Sequence, residues 1–212
     1  MKIRNGFVSN SSSSSFVIAL DKSPMDMDVQ ELRELLFGEQ ELFAKYDYAS
    51  TTLALSETIL TDLQLEHKRE KKEEDNYHYG VKSVKGKMSK DDLVENIACG
   101  WFDGHPDFFS NHYHYETEDL KIENEAKKQG IEKPNQDPKW GELIRKARNK
   151  RYAEEDRINR EAAMKLADPF WEKHKDKYLY ALEYSDNEGS QGVILEHGGV
   201  FDRIPHITIS HH

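Results

Sequence analysis

The first twenty residues, MKIRNGFVSNSSSSSFVIAL (1–20), place a run of serines between two apolar clusters. The second cluster, FVIAL at 16–20, is short, apolar and partly β-branched, so it predicts a β-strand. An exposed serine-rich linker does not need aromatic anchors at both of its ends. We therefore expect Phe7 and Phe16 to hold the serine tract against the core. This tract consists of Ser11, Ser12, Ser13, Ser14 and Ser15.

Three roles are open for the serine tract. Hydroxyls and backbone N–H groups that converge in a turn bind an anion or a phosphate group. A serine that stands beside a base becomes a nucleophile or a modification site. Alternatively, the hydroxyls hydrogen-bond their own backbone in a tight loop and have no ligand. The sequence leaves these three roles open.

The bulk composition predicts one sizeable domain with a modest core, because 36% of the 212 residues are hydrophobic and 33% are charged. A net charge of −10 argues against general nucleic-acid binding. A lone Cys99 excludes an internal disulfide and fits a reducing compartment. The chain shows neither a signal-peptide pattern nor an apolar run of ~20 residues that would span a bilayer. We expect a cytoplasmic protein that does not bind membranes.

Helical patterns dominate the middle of the chain. Asp28 predicts a helix start that ends at Gly38, and apolar spacing predicts a second helix over 52–67. Ser89 with Asp92 resembles a capping box for a short third helix. A long helix is predicted from Pro138 to about Asp168, where Pro169 should end it.

The last segment changes its period. The run YLYALEYSDNEGSQGVILEHGG (178–199) predicts a β-hairpin turning at Asp186–Gly189, and HITISHH (206–212) predicts a final strand. The fold class is therefore α+β, with a small, mostly antiparallel sheet formed by the N- and C-terminal strands and helices between them. We expect residues 1–212 to form a single domain with a largely helical, polar insertion at about 117–168.

The opening MKIRNGFVSNSSSSSF and the closing EYSDNEGSQGVILEHGGVF with PHITISHH resemble a family of uncharacterised proteins from tailed bacteriophages and bacterial genomes. The resemblance covers roughly the first 18 and the last 35 residues. It implies a phage or prophage origin, and hence the host cytoplasm. It also implies that the two ends of the chain work together, although it brings no established activity.

The C-terminal segment supplies the donors for a candidate site. His206 lies on the strand face opposite Ile207 and Ile209, so we expect it to be available for chemistry. Two imidazoles and a carboxylate suit a divalent transition metal, and a histidine with a carboxylate behind it suits general base catalysis. Solvated or structural roles are the ordinary alternative. The candidate catalytic residues are His197, His206, Glu196 and Asp186, and the candidate metal ligands are His206, His197 and Glu196.

Other patterns are weaker. His112 and His114, in the aromatic stretch WFDGHPDFFSNHYHY (101–115), form a second candidate pair, with aromatic packing as the alternative. GVKSVKGKMS (80–89) fails as a phosphate loop in its glycine spacing and in having Met88 where a hydroxyl is needed.

Two functions remain in view, and whether the chain is an enzyme stays open. In the first, the two chain ends form a Ser/His/carboxylate pocket that binds or hydrolyses a phosphate-containing or other anionic ligand, with a divalent metal ion as the one cofactor considered. In the second, an acidic, phage-encoded protein binds a host protein complex through its negative surface and the long polar helix, or is a minor component of the virion. The polar stretch 148–157 would carry that contact.

Overall fold

The computed structural model describes residues 13–68, 88–98 and 117–210. Its strands are β1 (Ser13–Leu20), β2 (Leu42–Lys45), β3 (Tyr48–Thr51), β4 (Tyr178–Ser185) and β5 (His206–Ser210). Its helices are α1 (Val29–Phe37), α2 (Thr52–Lys68), α3 (Lys90–Ala98), α4 (Glu118–Lys128), α5 (Pro138–His174) and α6 (Gly189–His197). Two short 3₁₀ turns lie at Pro134–Gln136 and Asp186–Glu188. The predicted loop at 101–115, with its paired histidines, lies outside the described residues.

Strand β1 is the centre of a three-stranded antiparallel sheet with the order β4-β1-β5. Ile18 pairs with Tyr180 on one side and with His206 on the other. Residues 16–20 are all buried. Both faces of this central strand are covered, and this explains why its sequence is a continuous apolar run without alternation. The predicted α+β fold, with a sheet that joins the two ends of the chain, is confirmed.

One face of this sheet carries the main core. Phe16, Ile18 and Leu20 point to that face and cluster with apolar residues of α1, α2 and α6. The ring of Phe16 lies 5.0 Å from that of Phe201 and 6.2 Å from that of Tyr184, centroid to centroid. The period of two along β1 therefore selects which side chains enter the core.

The predicted helix starts are confirmed by their caps. Asp28 accepts a hydrogen bond of 2.9 Å from the backbone N–H of Glu31, and Gly38 ends α1 with a φ of 63°. Ser89 and Asp92 accept hydrogen bonds from each other's backbone N–H groups, both at 3.1 Å, ahead of α3. These contacts involve neighbours in sequence, so the local pattern is sufficient to predict them.

Two sequence predictions are wrong. The helix α5 continues through Pro169 to His174. Ala167 and His174 are buried on either side of this proline, and the ring of His174 lies 4.8 Å from that of Phe170, so tertiary packing offsets the cost of the proline. The expected hairpin after β4 is instead a 3₁₀ turn followed by α6. A short apolar run such as Val193–Leu195 does not by itself distinguish a strand from a buried helix.

The described residues divide into two compact units. The first comprises residues 13–68, 88–98 and 163–210, and the second comprises residues 117–162. In the second unit, the carboxylate of Asp119 is buried and lies 3.5 Å from Arg148 Nε and 3.3 Å from Arg151 Nε. The polar insertion predicted at about 117–168 overlaps this unit.

The buried His174 predicts a pH dependence of stability. Burial lowers the pKa of this imidazole, and Lys177 and Lys173 lower it further. Its Nδ1 atom has no hydrogen-bond partner among the described residues. Because the unfolded chain binds this proton more readily, we expect the free energy of unfolding to be highest above the ordinary pKa, about 6.5, and to fall as the pH decreases below it.

Urea unfolding of the wild type and of His174→Gln between about pH 8 and about pH 5 tests this expectation. The contribution of one group is at most about 1.4 kcal/mol per pH unit. The variant should show the smaller loss of stability in acid. Equal pH dependence in the two proteins would contradict a role for His174.

Candidate metal centre

Three of the side chains singled out in the sequence lie together. Asp186 opens the 3₁₀ turn after β4, and Glu196 and His197 are the last two residues of α6. One ligand atom of each lies within 4.8 Å of the ligand atoms of the other two. The side chain of Glu196 is fully buried, and its Oε2 atom lies 3.5 Å from Nε2 of His197, which is partly exposed. The C-terminal end of α6 thus places a buried carboxylate beside a partly exposed imidazole and a second carboxylate.

Close packing brings α6 back to the end of β4. A Cβ atom on Gly192 would lie 2.2 Å from the carbonyl oxygen of Ser185 and 2.9 Å from Cβ of Glu188. Only glycine allows the helix to approach this carbonyl so closely. The same approach sets the position of Glu196, one helical turn after Gly192, relative to Asp186.

The C-terminal end of α6, which carries Glu196 and His197, also meets the β2–β3 hairpin. The backbone N–H of Gly198 donates to the carbonyl of Ile194 at 2.8 Å and so closes the helix. A Cβ on Gly198 would lie 2.9 Å from Cε1 of Phe43, a residue of β2. The ring of Tyr46, at the tip of the hairpin, lies edge-on to that of His197 with 5.9 Å between centroids.

Further acidic groups lie near Tyr184, two residues before Asp186. The hydroxyl of Tyr184, a buried residue, donates a hydrogen bond of 3.2 Å to Oδ2 of Asp62 in α2. Burial raises the pKa of Asp62; the charges of Glu188 and Glu66 raise it further, and the Tyr184 hydrogen bond opposes the change. Burial also raises the pKa of Tyr184 well above its usual value, as do Asp62 and Glu188. The charge of Glu188, in the same turn as Asp186, thus acts on both Asp62 and Tyr184.

The donor set determines the chemistry that these residues can support. Carboxylate oxygens suit hard cations such as Mn²⁺, and an imidazole suits Zn²⁺, Fe²⁺ and related ions. A site with three protein ligands leaves coordination positions for water or a ligand, as catalytic metal centres do. Asp186, Glu196 and His197 are therefore the described residues that we assign as a candidate metal centre.

His206 lies away from this group. His206 pairs with Ile18 of β1, whereas Ser185, the residue before Asp186, pairs with Ser13 of the same strand. Ile18 and Ser13 are five residues apart, which is roughly 16 Å along a strand. One of the ring nitrogens of His206, Nδ1, is 3.0 Å from the carbonyl oxygen of Ile204. The structure thus brings together three of the four predicted catalytic residues and leaves His206 apart from them.

The serine tract is partly described. Ser13–Ser15 belong to β1, and Ser14 and Ser15 are buried between the neighbouring strands. Ser13 pairs with Ser185, which immediately precedes Asp186, so the described serines enter the sheet at the end where the candidate metal centre lies. The predicted anion-binding residues Ser11 and Ser12 lie outside the described residues.

Sequence reasoning found no signal for Tyr46, Asp62 or Tyr184. Tyr46 and Asp62 belong to elements that are distant in the chain from Asp186, and the packing of the β2–β3 hairpin and of α2 brings them here. Tyr184 lies in β4, two residues before Asp186, but an apolar strand pattern does not mark it as a site residue.

Comparison of this chain with protein-family models, with curated proteins and with solved structures finds no match. The assignment of the site therefore depends on its geometry alone. Among the helices in the described part of the chain, none combines the length and the apolar character needed to cross a membrane.

The contact at Gly192 predicts an unusual response to substitution. Alanine normally stabilises a helix interior relative to glycine by about 0.5–1 kcal/mol. Because the added methyl group would collide with the backbone of Ser185, we expect Gly192→Ala to lower the free energy of unfolding by about 1–3 kcal/mol instead. The exposed Ser190, in the same helix, supplies the control Ser190→Ala, which should stay within about 0.5 kcal/mol of the wild type. A stabilised Gly192→Ala protein in chemical denaturation would contradict this packing.

The raised pKa of Asp62 predicts that its charge costs stability. The folded state holds the proton more tightly than the unfolded chain, so ionisation above the raised pKa reduces the free energy of unfolding. Asp62→Asn removes the charge and keeps an acceptor for the Tyr184 hydroxyl, so the melting temperature at neutral pH should rise. Asp62→Ala leaves that buried hydroxyl unsatisfied and should cost about 1–3 kcal/mol. Thermal unfolding of the pair measures both effects, and a lower melting temperature for Asp62→Asn would contradict the first.

Proposed function

We propose that this protein binds one divalent transition-metal ion through Asp186, Glu196 and His197. The bound ion then holds or activates a phosphate-containing or other anionic ligand for hydrolysis. The observation that carries the proposal is the convergence of the three ligand atoms within 4.8 Å. Two of these residues are adjacent in α6, and the third comes from the turn after β4.

The donor types favour Mn²⁺, Fe²⁺ or Zn²⁺ over Mg²⁺ or Ca²⁺. Magnesium and calcium prefer shells made of oxygen atoms alone, and His197 would supply nitrogen. Fixed ligands on a helix and on a turn packed against it also hold the donors in place before the metal binds, which lowers the cost of assembling the centre.

The local charge explains why an anionic ligand would need the metal. The protein has a net charge of −10, and Glu188 belongs to the same 3₁₀ turn as Asp186. This field repels a phosphate group. A divalent cation held by Asp186, Glu196 and His197 would be the largest local charge, would attract an anionic ligand and would lower the pKa of a bound water.

The roles expected of the serines change accordingly. Ser14 and Ser15 are buried inside the sheet, so the proposal places the negative charge of the ligand on the metal. Anion binding by the tract remains a prediction for Ser11 and Ser12. A role of His206 as a base also remains a prediction, and its distance from Asp186 separates it from the metal.

The binding-protein alternative has less support in the second unit. Within 148–157, Arg148 and Arg151 form ion pairs with Asp119, and Arg157 pairs with Glu154 at 2.7 Å. Cations that are paired inside the unit offer less to a partner. Capture of a host protein complex, and a place in the virion, stay proposals without a specific contact in their favour.

Metal titration tests the proposed centre. Elemental analysis of protein purified without chelator, followed by titration of the stripped protein with Mn²⁺ and Zn²⁺, should give about one equivalent bound. His197→Ala and Glu196→Gln remove one ligand each and should weaken binding by at least about 10-fold. His206→Gln is the matched control, because it changes a histidine outside the group, and it should leave the affinity unchanged.

Two results would contradict the proposal. One is the absence of stoichiometric metal binding by folded wild-type protein. The other is a loss of affinity in His206→Gln that equals the loss in His197→Ala, which would place the metal elsewhere. Circular dichroism of each variant separates a lost ligand from a lost fold.

A further inference from the structure

The β2–β3 hairpin places an exposed aromatic ring beside the candidate metal centre. Tyr46 is 71% exposed, yet its ring lies edge-on to that of His197, with 5.9 Å between centroids. Water therefore covers most of a large apolar surface directly next to a proposed metal ligand. Burial does not explain this residue, because the fold gains little from a ring that stays in solvent.

The turn does not explain Tyr46 either. Tyr46 and Asp47 form the two-residue connection between β2 and β3. Tyr46 has a φ of 54°, and among the described residues it alone has a positive φ without being glycine. Glycine and asparagine adopt this conformation at lower cost, and they are the usual residues in such turns. A bulky side chain held in a strained backbone conformation is a reason to look for a role of the ring itself.

A lysine completes the tip of the hairpin. Nζ of Lys45 lies 5.2 Å from the centroid of the Tyr46 ring. Strand alternation places Lys45 on the same face of the hairpin as Phe43, which is anchored against Phe37 at 5.2 Å and against Gly198. Lys45 pairs with Tyr48, a second partly exposed tyrosine. The tip thus combines an exposed aromatic ring with a positive charge, next to the end of α6.

From this arrangement we propose that the ligand of the metal centre is a nucleotide. Its base stacks on Tyr46, its phosphate binds the metal ion, and Lys45 neutralises part of the phosphate charge. This inference rests on the proposed metal centre and names its substrate class. Aromatic side chains accept any base because every base has a π-face. A small nucleotide is favoured over a nucleic-acid strand, because each further phosphate would meet a protein with a net charge of −10.

Calorimetric titration of Mn²⁺-loaded protein with AMP, ribose 5-phosphate and adenosine tests the inference. AMP should bind about 10-fold more tightly than ribose 5-phosphate, which lacks the base. AMP should also bind more tightly than adenosine, which lacks the phosphate. Tyr46→Asn should reduce AMP affinity to that of ribose 5-phosphate and leave ribose 5-phosphate binding unchanged, whereas Tyr46→Phe should retain the preference.

The variants separate the two parts of the ligand. Lys45→Met should weaken the binding of AMP and of ribose 5-phosphate by similar factors, since it removes only a phosphate contact. Tyr152→Ala, which removes another exposed tyrosine, is the control and should change neither affinity. Asparagine tolerates the left-handed conformation, so Tyr46→Asn should melt no lower than the wild type. This result would exclude unfolding as the cause of lost binding.

Electron paramagnetic resonance of Mn²⁺ with the same samples distinguishes the possible failures. Normal Mn²⁺ binding with equal affinities for AMP and ribose 5-phosphate would overturn the nucleotide inference and leave the metal centre standing. Loss of AMP preference in Tyr152→Ala as large as in Tyr46→Asn would also overturn the inference. Absence of Mn²⁺ binding by the folded wild type would overturn the metal centre and the nucleotide inference together.

Discussion

The backbone pairing of β1 with β4 and β5 is the constraint on which the first unit depends. A central strand must satisfy its N–H and C=O groups on both sides, and here the partners come from the opposite end of the chain. The contact closes a long loop, so it becomes favourable only when the apolar residues 16–20 are buried at the same time. The helices α1 and α2 and the short α6 then pack over the face that carries Phe16, Ile18 and Leu20.

The same pairing decides where chemistry is available. Ser13 and Ser185 face each other at one end of the sheet, and the chain leaves that end as the turn that carries Asp186. Gly192 lets α6 return against the carbonyl of Ser185, which brings Glu196 and His197 to the carboxylate of Asp186. Polar residues at the end of a buried strand, on elements held by close packing, form a rigid frame for a ligand.

Carboxylates near the candidate metal centre lower the stability of the folded protein. Glu196 is a buried carboxylate, and the pKa of Asp62 is raised by burial together with Glu188 and Glu66. Charges that destabilise the folded protein alone become favourable when a cation binds, because ligand binding to the native state offsets the repulsion. The strained backbone of Tyr46 adds a second unfavourable feature at the same place. Buried charges and strained backbone conformations are expected to cluster at functional sites, because function there can require features that lower stability.

The sequence alone determined the features that depend on neighbouring residues. The cap of α1 at Asp28, the reciprocal cap at Ser89 and Asp92, the strand at 16–20 and the α+β class follow from local hydrogen bonds and from hydrophobic period. Composition also drew attention to Asp186, Glu196 and His197. These properties depend on residues that are close in sequence, so they can be predicted without the tertiary contacts.

Only the tertiary structure decided the rest. The segment 189–197 is a helix because Gly192 packs against Ser185 and because Ile194 and Leu195 enter the core. The helix α5 passes Pro169 at a point where Ala167 and His174 are buried on either side of the proline. His206 resembles the other candidates in sequence, yet its register opposite Ile18 separates it from them. Tyr46 carries no local signal at all and reaches His197 only through the packing of Phe43. Register and packing are set by contacts between distant residues, so a pattern of neighbours does not contain them.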